Sequence, residues 1–170
     1  MASTRNGELK FTRVSLKNWR NFTSVDVNLQ QRTFVVGPNA SGKSNFLDVF
    51  RFLRDIASEG SGGLHGAVKK RDGVSKIRCL AARQFPDISV HVCVGSESNP
   101  SEWEYELTFT EDRKALTADK KVRPKILHER VSHRQIEIVR RPDDRDKNDP
   151  KLLTQTFLEQ VSENHQFREL

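Results

Sequence analysis

The sequence predicts an α/β fold in which a strand–loop–helix unit near the N-terminus is followed by an antiparallel β-rich lobe. Three observations predict it. Residues 37–44 read Gly-Pro-Asn-Ala-Ser-Gly-Lys-Ser, set between an apolar β-branched run and an amphipathic helical pattern. Ile88, Val90, Val92 and Val94 alternate with polar or small residues, and so do Trp103, Tyr105, Leu107 and Phe109. That period of two belongs to half-buried strands. The 170 residues suffice for one domain, or one domain with a small lobe.

Leu9–Leu16 has strand character, though its alternation slips near Arg13. Val25, Val27 and Leu29 alternate with Asp26, Asn28 and Gln30, which reads as a half-buried strand. Asn18–Phe22 joins the two. Thr33–Val36 reads as a short buried strand running into the glycine-rich octapeptide. From Ser44 onward, Phe46, Val49, Phe50, Leu53, Ile56 and Ala57 recur at helical spacing, with Asp48, Arg51, Asp55 and Glu59 toward water. Gly60-Ser61-Gly62-Gly63 ends the helix, because glycine is costly inside one and suits the turn after it. The two alternating segments then form a meander, with Lys125–Arg134 and Gln135–Arg140 as further strands. Val139–Lys151 reads as a charged loop with Pro142 and Pro150, and Leu152–Leu170 as partly helical. The expected organisation is a core over 1–64, a β-rich lobe over 65–150, and a segment over 151–170 that starts a helical region.

The octapeptide fits G-x-x-x-x-G-K-[ST], the phosphate-binding loop, in the strand–loop–helix context that the chemistry needs. Backbone N–H groups can surround a phosphate chain there, at a helix N-terminus carrying roughly half a positive charge. Gly37 and Gly42 let the backbone come close to the anion. Lys43 is placed to reach the β- and γ-phosphates, and the Ser44 hydroxyl to ligate Mg²⁺, a hard cation that prefers oxygen. Pro38, Asn39, Ala40, Ser41 and the following Asn45 complete the expected nucleotide-binding set.

Net charge is +6 and the pI about 9.5, with charged residues at 31% and mean hydropathy at −0.69. The excess is uneven: between Arg113 and Arg145 there are eleven Lys or Arg against five Asp or Glu, and Lys69, Lys70, Arg71, Lys76 and Arg78 form a smaller cluster. Two readings fit, a polyanionic partner such as DNA or a solvated basic surface. No aromatic residues are interleaved to stack on bases. Cys79 and Cys93 form neither a C-x-x-C pair nor metal spacing. Met1–Lys10 lacks an apolar signal core, and no apolar stretch approaches membrane-spanning length. A reduced, cytoplasmic setting without membrane association is expected.

Nucleotide hydrolysis of this type also needs an acid at the end of a second core strand, to hold Mg²⁺, usually followed by a Glu for the attacking water. No run of four apolar residues followed by Asp or Asp-Glu occurs after residue 44; Val90–Val94 comes nearest and leads into Gly95-Ser96. Ser61-Gly62-Gly63 has part of an LSGGQ signature but directly follows the helix, where a cap explains it. His128-Glu129 with His133 is one residue too long for H-E-x-x-H.

Leu16-Lys17-Asn18-Trp19-Arg20-Asn21-Phe22 and the run Val35–Leu47 together resemble the N-terminus of SMC/RecF-type ATPases. These are ABC-class enzymes with an L-x-N-F-R-N-F strand and a G-x-N-G-S-G-K-S-N loop. Trp19 stands where Phe is usual and Ala40 where Gly is usual. The chain is most similar to bacterial predicted ATPases of the AAA-labelled, ABC-like group, found in DNA-repair and anti-phage systems. The resemblance implies an ABC/SMC-head-like N-terminal half with an inserted β-lobe, ATP and Mg²⁺ as cofactors, and ATP-driven pairing of two heads. It implies that Arg20 approaches the nucleotide. It places a Q-loop at Leu158–Asn164, whose Gln160 would join Lys43 in catalysis and meet Mg²⁺. The signature motif, Walker B, D-loop and switch His of such enzymes lie beyond the stretch present here. The expectation is therefore an ATP-binding half, hydrolysis-deficient alone, completed as a homodimer or by a C-terminal half or partner chain. Work on DNA in repair, chromosome maintenance or defence is implied. The alternative is a non-catalytic nucleotide- or nucleic-acid-binding module.

Overall fold

Alternation along the strands decides which face of the sheet meets the helices. In β1 (Lys10–Trp19), Val14, Leu16 and Trp19 are buried while Arg13 and Lys17 are exposed. β3 (Ile88–Gly95) and β4 (Trp103–Asp112) bury Ile88, Val90, Val92, Trp103, Tyr105, Leu107 and Phe109. With β2 (Phe22–Asn28), β5 (Arg123–His133) and β6 (Ile136–Arg141) they form one six-stranded sheet in the order β2-β1-β3-β4-β5-β6. Every neighbouring pair is antiparallel. β1 pairs with both β2 and β3, so strands from before and after the phosphate loop share one sheet. The computed structural model describes residues 9–58, 60–82, 86–112 and 123–159.

The inner face is covered by α1 (Lys43–Ala57), α2 (Gly63–Lys69) and α3 (Val74–Ile77). Aromatic contacts seat α1 on the sheet. Phe50 meets Phe11 edge-on at 4.9 Å, and Phe52 meets Trp19 at 5.1 Å and stacks on Phe109 at 5.6 Å. Such pairs contribute about 0.5–1.5 kcal/mol each beyond their buried area. The other face is a charged ladder. Arg13 pairs with Asp26, and Arg130 bridges Glu104 at 3.6 Å and Glu106 at 3.3 Å. No helix among the described residues is long and apolar enough to cross a membrane.

Three expectations need correction. Thr33–Val36 is not a strand: no described strand pairs with it, and Phe34 and Val36 are 84% and 87% exposed. A run that apolar needs a ladder partner and a covering layer to become a buried strand, and the described residues supply neither. On α1, Asp55 is buried rather than facing water, and Asp48 is largely so, because Arg71 of the α2–α3 turn lies against both. The charged loop at Val139–Lys151 is shorter than expected: β6 runs to Arg141 and α4 (Asp144–Asn148) follows. Asp143 and Asp146 cap α4 reciprocally. Pro150–Thr154 is a short 3-10 turn at the start of the segment read as partly helical, and residues 160–170 lie outside the described residues.

Candidate functional site

α1 begins at Lys43, so the octapeptide stands at its N-terminus as the motif requires. Residues 37–41 are exposed and Gly42 is buried. Gly42 has φ 101°, and a methyl group there would collide with the Asn21 amide nitrogen and lie 2.8 Å from Phe22 Cζ. Only glycine meets both demands. Ala40 also adopts a left-handed conformation, φ 63°.

The Lys43 ammonium donates to the carbonyls of Gly37 at 2.8 Å and Pro38 at 2.6 Å. Ser41 N donates to Pro38 O at 3.3 Å, so the loop curls round the lysine. An ammonium has three donors, and two are used here. The first turn of α1 holds no acidic residue and Gly42 offers no capping side chain. Its backbone donors and dipole are therefore neutralised by no carboxylate of the helix itself, which suits an anion. Ser44 is exposed on the same turn. The residues fit a nucleotide phosphate chain with Mg²⁺: close backbone at glycine, a lysine at the loop mouth, and a hydroxyl beside it.

The β1–β2 turn lies against this junction. Trp19 Nε1 donates to Asn45 O at 2.8 Å, and Asn45 Nδ2 donates to Asn21 Oδ1 at 2.9 Å. Arg20 Nη2 donates to Asp48 at 3.1 Å, and Nη1 to Lys76 O at 3.2 Å. The structure thus brings Gly37 to Asn45 together in one stretch and engages Arg20 with α1 and the α3 segment. Gln160 lies outside the described residues. Asn21, Asp48 and Arg71 were not singled out by sequence reasoning. Asn21 stands inside the Leu16–Phe22 motif, which was the available signal.

Behind the loop, Arg71 donates to Asp48 through Nε at 3.0 Å and Nη2 at 2.9 Å, and to Asp55 through Nη1 at 3.0 Å. Its guanidinium also lies 5.2 Å from the Phe52 ring centre. Burial pushes both carboxyls up. Hydrogen bonds from Arg71, with Arg20 on Asp48 and Lys70 on Asp55, outweigh it and hold both below the usual carboxylate range.

A second buried network lies on the same inner face, at the β4–β5–β6 end of the sheet. The Glu129 carboxylate, fully buried, accepts from Tyr105 Oη at 3.0 Å, Arg141 Nη1 at 3.3 Å and Phe157 N at 2.8 Å. Burial pushes its pKa up to about 7 against the opposing hydrogen bonds from Phe157 and Tyr105 and the charge of Arg141. Arg141 also donates to Asp146 at 2.6 Å and to the carbonyls of Leu152 and Gln155. Glu159 accepts from Leu64 N at 2.7 Å. These bonds pin residues 150–159 to the sheet and to α2. His128 lies 3.7 Å from Glu106, whereas His133 stacks on Trp103 at 4.1 Å, so the two imidazoles have different partners.

Comparison with known proteins adds two findings. The family described as "AAA domain, putative AbiEii toxin, Type IV TA system" matches residues 32–164. The chain is also 36% identical over 72 residues to Endonuclease GajA of Bacillus cereus (strain VD045). That stretch is 42% of this chain and 12% of GajA, so the chain corresponds to a small part of that relative.

Proposed function

Because the chain belongs to the AAA-domain family that includes the putative AbiEii toxin of type IV toxin–antitoxin systems, we propose that it is the ATP-binding portion of a P-loop ATPase. The carrying observation is the loop at the start of α1, with Lys43 held at its mouth by Gly37 O and Pro38 O. Gly37 to Gly42 would surround the phosphates, Lys43 would balance their charge, and Ser44 would hold Mg²⁺. Bound ATP–Mg²⁺ supplies the phosphoryl group whose cleavage an ATPase couples to work. The chain's own residues bind and orient it. The acid and Gln that would direct water are a further matter, with Gln160 as the candidate from family resemblance.

The finer reading is an SMC/RecF-like head in which ATP drives pairing of two copies, or of this portion with a completing C-terminal half or partner chain. The exposed Phe34 and Val36 support a layer that such a completion would supply. The basic residues and the likeness to a protein named an endonuclease support DNA as the object of the work, in defence or repair. Sedimentation velocity of the chain with and without ATP–Mg²⁺ tests the pairing. We expect a nucleotide-dependent shift from monomer to dimer that Lys43→Ala abolishes. A sedimentation coefficient indifferent to nucleotide, in a chain shown to bind it, would instead favour the non-catalytic binding module.

A further inference from the structure

We propose that Asn21, at the tip of the β1–β2 turn, is a positioning residue for the phosphate loop. Its side chain fixes the junction Gly42–Asn45 so that the backbone and Lys43 face a triphosphate. This rests on the nucleotide-binding reading above and adds a residue outside the loop to the binding apparatus.

The loop is weakly tied on its own. Residues 37–41 are exposed, and their internal ties are the Ser41 N to Pro38 O bond and the Lys43 bonds. An exposed loop with so few bonds takes its shape from its anchors. The C-terminal anchor is the first turn of α1, and the β1–β2 turn touches that turn at three places. Trp19, fully buried, donates to Asn45 O at 2.8 Å. Asn21 Oδ1 accepts from Asn45 Nδ2 at 2.9 Å. Asn21 and Phe22 together occupy the space beside Gly42, where a methyl group would lie 2.8 Å from Phe22 Cζ and 2.9 Å from Asn21 Oδ1.

The turn is itself held firmly. Asn18 and Arg20 have φ of 55° and 54°, a left-handed conformation that costs a non-glycine residue about 1 kcal/mol. Such conformations persist where surrounding contacts over-determine them, and they cluster at functional sites. The contacts are present: Arg20 N donates to Ile77 O at 2.6 Å, Cys79 N to Asn18 O at 2.9 Å, and Asn18 Nδ2 to Asp87 O at 2.8 Å. Arg20 reaches Asp48 one turn further along α1. A rigid turn bonded to the helix start can set where the loop's donors point. The side-chain amide pair Asn21–Asn45 is exposed, so its loss costs little folding energy and its effect falls on the loop.

Calorimetric titration of the chain with ATP–Mg²⁺ and with magnesium tripolyphosphate tests this in wild type, Asn21→Ala, Asn45→Ala, the double variant and Lys43→Ala. Each single Asn variant is expected to weaken both ligands by the same factor, about tenfold. The double variant should be no weaker than either single one, since all three break one bond. Unliganded melting temperatures should stay near wild type. Asn45→Ala breaks the bond from the helix side if Asn21→Ala folds poorly. Unchanged affinity in Asn21→Ala, or additive losses in the double variant, would overturn the proposal. So would a loss confined to ATP, which would assign Asn21 to the base or sugar. A wild type that binds neither ligand, or equal binding by Lys43→Ala, would overturn the nucleotide reading beneath it and is recognisable as that separate failure.

Discussion

Arg71 grips Asp48 with two parallel hydrogen bonds, Nε at 3.0 Å and Nη2 at 2.9 Å, across the interface between the α2–α3 turn and the phosphate-loop helix. Arg71 is 6% exposed. The bidentate fork fixes the angle at which α1 meets its neighbours. Removing the arginine leaves Asp48 and Asp55 with shielded charge and fewer partners. Arg71→Ala is expected to destabilise the fold by about 3–5 kcal/mol, measured by urea unfolding at pH 7. Both carboxyls are held below their ordinary pKa. Their contribution is therefore present above the unfolded carboxylate range and is lost as pH falls through the lower folded values.

Glu129 acts in the opposite direction. Its folded pKa is raised to about 7, so between the unfolded value and 7 the folded state holds the proton more tightly. Its stabilising contribution is complete below the unfolded pKa and is lost as pH rises through about 7. Unfolding free energy should fall by ~3 kcal/mol between pH 4.5 and pH 7.5 from this group. Glu129→Gln should flatten that slope. Denaturant titrations of both proteins across this window check it, since the depressed aspartates act at lower pH.

Ala40 has an exposed side chain at φ 63°. Ala40→Gly removes the steric cost of that conformation and should stabilise the loop by about 1 kcal/mol. Nucleotide affinity should be retained or improved. Amide hydrogen exchange over residues 37–42, with a parallel binding titration, reads both effects.

Much of the sheet was legible because alternation is a local signal. The slip near Arg13 coincides with the register shift between Phe11 and Arg13 where β1 meets β3. Where periodicity failed, pairing was the cause. Thr108 pairs with His128 but Phe109 pairs with Ile126, so Leu127 is an extra residue in β5. The bulge lets Ile126, Glu129 and Val131 all face inward, which no strict period of two predicts. Nothing local marked Glu129 as buried, nor Asp48 and Asp55 as partners of an arginine 23 and 16 residues away. Conversely, Thr33–Val36 has the composition of a buried strand without a pairing partner among the described residues. Residues 37–44 stood out in the sequence because the motif sets glycine, lysine and hydroxyl at fixed spacing, and the structure places that stretch at the start of α1. The side chains that bond to α1 behind it, Trp19, Asn21 and Arg71, did not stand out, because their contacts depend on tertiary placement.

The most direct test of the central claim is thermal unfolding of this chain with and without ATP–Mg²⁺. At one hundred times Kd, binding should add about 2.7 kcal/mol to stability and raise the melting temperature measurably, and Lys43→Ala should remove the rise. An unshifted transition at millimolar ATP, or an equal shift in Lys43→Ala, would contradict the assignment of residues 37–44 as a nucleotide site.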